Sequence, residues 1–534
     1  QNTAVGSLAL DAHTVGQDCT AIGYDALGAN TVASHNTAVG SFTLSANTTG
    51  DNNTALGRAS LNNNTASNNT GVGYNSLVLN TTGANNTAVG SSALDANTTG
   101  SENVAIGDDA LGANTTASTN TSVGYHSMFS NTIGANNVAL GGAALLNNTS
   151  ASNNTALGKG AMQANTTGAS NVAVGSLALD ANTTGERNTA LGFDAIGANS
   201  TGGKNVAVGA YALDANTTAN DNVAVGDASL TDNTTGNQNV AVGRLALHRN
   251  TTASNNVGIG YNALFANTTG TNNTALGSLA LDANTTASHN TAIGNQSIGA
   301  NTTGEANTAL GQGTLSSNTT ASNNTAIGRQ ALNQNTTGTQ NTAVGAYALD
   351  ASTTGSYNSG FGYLSLSANN TGIQNSAFGW ASLIKNTTGS NNVAVGFDSL
   401  GENTTANNNT AVGFEALTLN TTGSDNVAIG FRSLDANTTA SNNTAVGYAA
   451  LGANTTATNN SGIGNLALTL NTTGAGNTAV GSQALYSNTT GSNSTAVGYN
   501  ALLSNTSVGG HTAVGTSALS SNTTGSANTA VGQN

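Results

Sequence analysis

A glycine recurs through this chain with a fixed period. It stands at Gly6, Gly23, Gly40 and Gly57, arrives one residue early at Gly73, and then returns at every seventeenth residue to Gly532. Of the 31 intervals, thirty are 17 residues long and one, Gly57 to Gly73, is 16. A period this strict over 534 residues means that one small supersecondary unit is stacked on itself many times, each copy burying its apolar side against its neighbours. Length alone would argue for several globular domains. The repeat overrides that expectation, because no stretch differs in kind from any other, and residues 1–534 are read as a single continuous repeat array.

The copy from Asn86 to Glu102, NTAVGSSALDANTTGSE, defines positions 1 to 17. Position 1 is Asn in 29 of 32 copies, the exceptions being Cys19, Ser494 and His511. Position 4 is always Val, Ile, Leu or Phe, position 9 is always Leu, Ile or Met, and position 12 is Asn except at His13 and Ser352. The short copy loses its residue in the Asn-Thr segment around Asn64 and Thr65, which marks that segment as a loop tolerant of length change.

Seventeen residues are too few for a helical hairpin, and Asn, Thr and Gly at this density disfavour helices. Asn-Thr-Ala-Val-Gly reads as a short strand ended by glycine, positions 7 to 11 as a second strand, and Asn-Thr-Thr-Gly as the turn into the next copy. The predicted fold is therefore all-β: a parallel β-solenoid, or β-roll, of about 31 coils. Each strand pairs in register with its copy one coil away. At about 4.8 Å per coil this predicts a rod of roughly 150 Å, with identical Asn side chains stacked into amide ladders.

Strand parity raises a difficulty. Neighbouring strand residues face opposite sides, yet position 3 is Ala, Gly or once Ser122, while position 4 is always apolar. Both faces avoid polar groups. Either the chain bends sharply there, or the second face packs on another chain and the molecule is an oligomer.

Composition removes several functions. A net charge of −14 with only nine Lys and Arg cannot supply the basic stripe that nucleic acid requires. No run of eighteen apolar residues exists, so nothing in this segment is expected to span a membrane. Disordered chains are rich in charge and scatter their apolar residues; here charge is 6% and the apolar residues keep register. Cys19 is the one cysteine and makes no intrachain disulfide, so it is read as a passive thiol.

Asn103-Val104-Ala105-Ile106-Gly107 and Asn239-Val240-Ala241-Val242-Gly243 carry a resemblance. These units resemble the S-V-A-I-G type repeats in the heads of YadA-like trimeric autotransporter adhesins, and related Asn-Thr-Ala-Val-Gly repeats resemble those of long bacterial surface proteins and phage tail-fibre shafts. The resemblance implies a left-handed parallel roll, three identical chains packed round a common axis, and attachment to surfaces or host matrix. It spans the chain but rests on five residues. The adhesin head unit is shorter by about a loop, and no stalk, anchor barrel or chaperone domain is seen in this segment, so no ligand is carried over.

Candidate chemistry is sparse. The histidines, His13, His35, His126, His248, His289 and His511, lie at different repeat positions and mostly many coils apart, a spacing that argues against a metal or catalytic cluster. Asp recurs at position 10 in Asp11, Asp95, Asp180, Asp214, Asp282, Asp350 and Asp435, but never in adjacent coils, and is read as solvated charge rather than a calcium ladder. The many Asn-Thr-Thr acceptor patterns follow from the repeat and are read as loop chemistry. No catalytic residue, metal ligand or cofactor is expected.

The most local signal is aromatic. Of 21 aromatic residues, 12 occupy position 6, and six of these fall in consecutive coils: Tyr363, Trp380, Phe397, Phe414, Phe431 and Tyr448. With Phe361 and Phe378 at position 4 they predict a stacked strip about 25 Å long, which would be a contact surface for a ligand or partner if exposed. The sequence-based expectation is a non-enzymatic extracellular fibre, on a cell surface or virion. It would be homotrimeric, with a surface glycan, matrix or host-cell receptor as partner. A self-assembling structural filament and an ice-binding solenoid with Thr ranks are the alternatives. The chain opens at position 17 and stops at position 7, which is read as a window on a longer fibre.

Overall fold

The computed structural model describes residues 1–534 and contains strands but no helix. It falls into two compact units, 1–269 and 270–534. The first carries sixteen three-residue strands, from Thr3–Val5 to Val257–Ile259, and the second another sixteen, from Thr274–Leu276 to Thr529–Val531. Each unit is a parallel β-solenoid with one strand per coil. Successive strands pair in parallel at identical positions: Thr87 faces Val104, Ala88 faces Ala105 and Val89 faces Ile106. Register holds through the short coil, where Thr54 still faces Thr70. The missing residue belongs to the outward part of the Asn-Thr segment, so its loss leaves the buried columns in place.

The glycine period has a direct cause. At Gly90 the backbone turns with φ +141°, and an added Cβ would lie 2.2 Å from the carbonyl oxygen of Gly107 in the next coil. Both the dihedral and the close approach exclude a side chain. Since every coil repeats this corner, every coil repeats the glycine.

Positions 7 to 11 do not form the second strand expected from their sequence. They form a turn in which positions 7 and 9 adopt left-handed backbone, φ 50° at Ser92 and 55° at Leu94. The inward side chains show why a strand fails here: Ala93 and Leu94 are adjacent and both fully buried, which the alternation of a strand forbids. Left-handed leucine costs about 1–2 kcal/mol, but burying its side chain returns about 1.5–3 kcal/mol. The backbone stays bonded in both directions: Ser92 N–H donates to Tyr74 O at 2.8 Å and Leu94 N–H to Ala110 O at 3.0 Å.

The core is one column of large side chains lined by alanines. Position 9 is fully buried from Leu27 to Leu264 in the first unit and from Leu281 to Leu502 in the second. Two Asn columns complete the interior. The Asn86 Oδ1 accepts from the backbone N–H of Asn103 at 3.0 Å, and its Nδ2 donates to Gly100 O at 2.9 Å. From position 12, Asn97 Nδ2 donates to Asn80 Oδ1 at 2.7 Å and to the same Gly100 O at 2.9 Å. These amides therefore satisfy themselves and the corner backbone without water.

The exceptions keep the role. His13 donates Nε2–H to Gly16 O at 2.8 Å, and Cys19 Sγ donates to Ala33 O at 3.4 Å. Ser352 is too short, and its buried hydroxyl has no partner. The Asn-Thr-Thr-Gly segment is thus only half a loop: its Asn and Gly are interior and the second Thr is exposed. The acceptor asparagines of that pattern lie inside the solenoid.

Candidate functional site

The strand's outward face comes first, because every coil presents it. Position 3 is buried in all but the two terminal strands, while positions 2 and 4 flank it on the opposite side and are half-exposed or exposed throughout. The strand does not bend. Of the two alternatives that parity left open, the single chain therefore leaves the position 4 column uncovered, with Leu56, Ile106 and Leu140 among its exposed apolar side chains. Beside them at position 2 stand threonine and valine.

The six sequence-predicted aromatics come together as a stack within the second unit. Trp380 and Phe397 lie 4.8 Å apart with planes 7° from parallel; Phe397–Phe414, Phe414–Phe431 and Phe431–Tyr448 follow at 5.1, 5.3 and 5.4 Å. Tyr363 joins Trp380 more loosely, at 6.4 Å and 23°. Tyr347 meets Tyr363 edge-on at 6.1 Å. The six side chains are 41–53% exposed. Phe361 and Phe378 form a separate parallel pair at 4.8 Å on the strand face. Because stacked rings turn their faces toward one another, the perimeter offered to solvent consists of ring edges, which carry the positive side of the aromatic quadrupole. Where position 6 aromatics are isolated the geometry differs: Tyr24 meets Phe42, and Phe193 meets Tyr211, edge to face at 5.2 and 5.4 Å.

The position 10 aspartates are not freely solvated. Asp95, Asp180, Asp282, Asp350 and Asp435 are half-buried, and burial raises their carboxyls above the ordinary value; Asp214 is pushed up to about 6 by burial and then by Asp194, Asp180 and Asp232. Sequence inspection counted only position 10. Asp194, at position 7 of the coil between, brings a carboxylate beside both Asp180 and Asp214.

The same cross-coil proximity operates on histidine. His126 and Asp109 share position 7 in consecutive coils, and His126 Nε2 lies 3.3 Å from Asp109 Oδ2. Asp108 joins them, with one ligand atom from each residue within 4.8 Å of the others. Spacing between histidines gave no sign of this meeting; the signal was an Asp-Asp pair exactly one period before a Tyr-His pair. The other histidines are dispersed. His35 reaches Asp18 only at 3.9 Å, His248 stacks on Phe265 at 5.4 Å, His289 is exposed, and His511 is buried at position 1, where desolvation lowers its pKa.

Thr hydroxyls divide between scaffold and surface. Thr98 Oγ1 at position 13 donates to Thr115 O in the next coil at 3.1 Å. Position 14 points outward, in an unbroken exposed rank from Thr286 to Thr490. One rank, not two, therefore faces solvent from this segment. No helix of the chain is long and apolar enough to cross a membrane. A scan against protein-family models returns no match for the chain, and a search of curated proteins returns none either.

Proposed function

We propose that the chain is a non-enzymatic fibre element whose copies associate, as a homotrimer, through the outward strand face, and which attaches to other surfaces through the aromatic strip. One observation carries this reading: an invariably apolar column at position 4 that points away from the core of its own chain. An exposed column needs no such constraint unless something covers it. In the first unit alone, sixteen three-residue strands present a flat face of about 700 Å², close to the roughly 800 Å² per partner of a stable interface. Small residues inside and β-branched residues outside keep that face flat enough to lie against a copy of itself. The resemblance to adhesin heads and tail-fibre shafts supports three chains and an extracellular, cell-surface or virion setting.

The strip is the local element on this uniform fibre. Its ring faces are engaged with one another, so it offers a sugar ring little to stack on; its edge-lined surface favours an apolar or aromatic protein partner, in a matrix or receptor, over a glycan. A self-assembling filament would use the same strand face, and an ice-binding role draws support only from the single position 14 rank.

The test is mass in solution. The chain is expected to sediment as a trimer, and a variant carrying Val89→Lys, Ile106→Lys and Leu140→Lys is expected to sediment as a monomer with its strand content retained. A wild-type chain that is cleanly monomeric at micromolar concentration would sink the interface.

A further inference from the structure

We propose that Asp108, Asp109 and His126 form a zinc site that staples two successive coils of the first unit. Asp108 and Asp109 lie at positions 6 and 7 of the coil that begins at Asn103, and His126 at position 7 of the coil that begins at Asn120. Their ligand atoms sit within 4.8 Å of one another. An imidazole nitrogen with two carboxylates is a donor set that zinc accepts, leaving further positions for water.

The spacing favours a shared ion over a direct bond. A charge-assisted N–H to carboxylate hydrogen bond closes to about 2.7–2.9 Å, whereas His126 Nε2 and Asp109 Oδ2 stand 3.3 Å apart. Two ligands on a tetrahedral zinc, each at about 2.0–2.1 Å, are separated by about 3.3–3.4 Å. The pair already has the separation of one edge of that tetrahedron.

The imidazole is also held in place. Tyr125 lies flat on it, with centroids 3.8 Å apart and planes 16° from parallel, and Phe129 packs at 5.3 Å. The backbone N–H of His126 donates to Asp108 O at 3.1 Å, and that of Asp109 to Ser91 O at 3.0 Å, which fixes both coils. Asp109 and His126 are about one-third exposed, so an ion can enter from solvent. Elsewhere in the chain a histidine meets at most one carboxylate: His35 and Asp18 are 3.9 Å apart and open to water.

Both Asp109 and His126 have left-handed backbone, φ 53° and 50°, a conformation asparagine tolerates. Asp109→Asn and His126→Asn therefore remove ligands while preserving the coil. The experiment titrates zinc chloride into the tag-free full chain by calorimetry and follows amide exchange over residues 103–136. The wild type is expected to take up one zinc per chain and to slow exchange in those two coils. Each variant should bind at least about tenfold more weakly and show no such protection, with unchanged circular dichroism, while His35→Asn behaves as wild type. No zinc uptake by the wild type, or uptake undiminished in both variants, overturns the site.

Discussion

The inside and the outside of a single coil obey different rules. Inside, Asn86, Ala88, Leu94, Asn97 and Gly100 are all buried, and each is explained by contacts within its own chain. Outside, Val89 is as restricted in type as Leu94 but has no neighbour above it in that chain. Restriction with an evident cause describes the scaffold. Restriction without one points to a partner, and that difference is the physical basis for reading the strand face as an interface.

Three measurements break or sharpen the contrast. The largest effect is expected inside. Asn97→Ala strips the donor from Asn80 Oδ1 and one of two donors from Gly100 O in a site closed to water, at a cost of about 2 kcal/mol. Since solenoid stability is transmitted between neighbouring repeats, the loss should appear as faster amide exchange in the coils next to Asn97 rather than across the unit. Uniform protection would show that the ladders are incidental.

An intermediate effect is expected at the half-buried aspartates. The Asp214 carboxyl is raised to about 6 from an ordinary 3.8, so between those values the folded chain binds a proton that the unfolded chain does not. Stability therefore rises as pH falls from 7 toward 4, by about 1 kcal/mol for this group once solvent screening is allowed for. Asp214→Asn should raise the melting temperature at pH 7 and leave it unchanged near pH 4. A pH-independent difference between variant and wild type would contradict the assignment. The smallest effect on stability is expected outside: Trp380→Ala with Phe397→Ala should shift unfolding by no more than about 0.5 kcal/mol per site while weakening attachment to a surface the wild type binds. Unchanged attachment would reduce the strip to ring packing.

Much of the scaffold was legible from residue types. A glycine period with Asn and apolar residues at fixed offsets placed the strand at positions 2 to 4, and its in-register pairing placed the six aromatics in one stack. The turn at positions 7 to 11 was not legible, because Ser92, Ala93 and Leu94 are compatible with a strand and nothing in their side chains advertises left-handed backbone. The buried state of the Asn-Thr-Thr asparagines was hidden for a related reason: a turn composition describes the chain's path, not which amide points inward. The Asp108, Asp109 and His126 group went unseen because the search compared histidines with one another, whereas residues one period apart are neighbours whatever their type.

Sequence by itself determined the period, the parallel register and the identity of each column, since a repeat whose units are identical stacks like upon like. Tertiary structure alone decided direction: that position 4 turns outward while positions 8 and 9 both turn inward, and that stacked rings show their edges. Those outcomes depend on how the backbone rounds the glycine corner, where the carbonyl of the next coil leaves no room for a side chain, and no residue type records on which side of that corner its neighbours emerge.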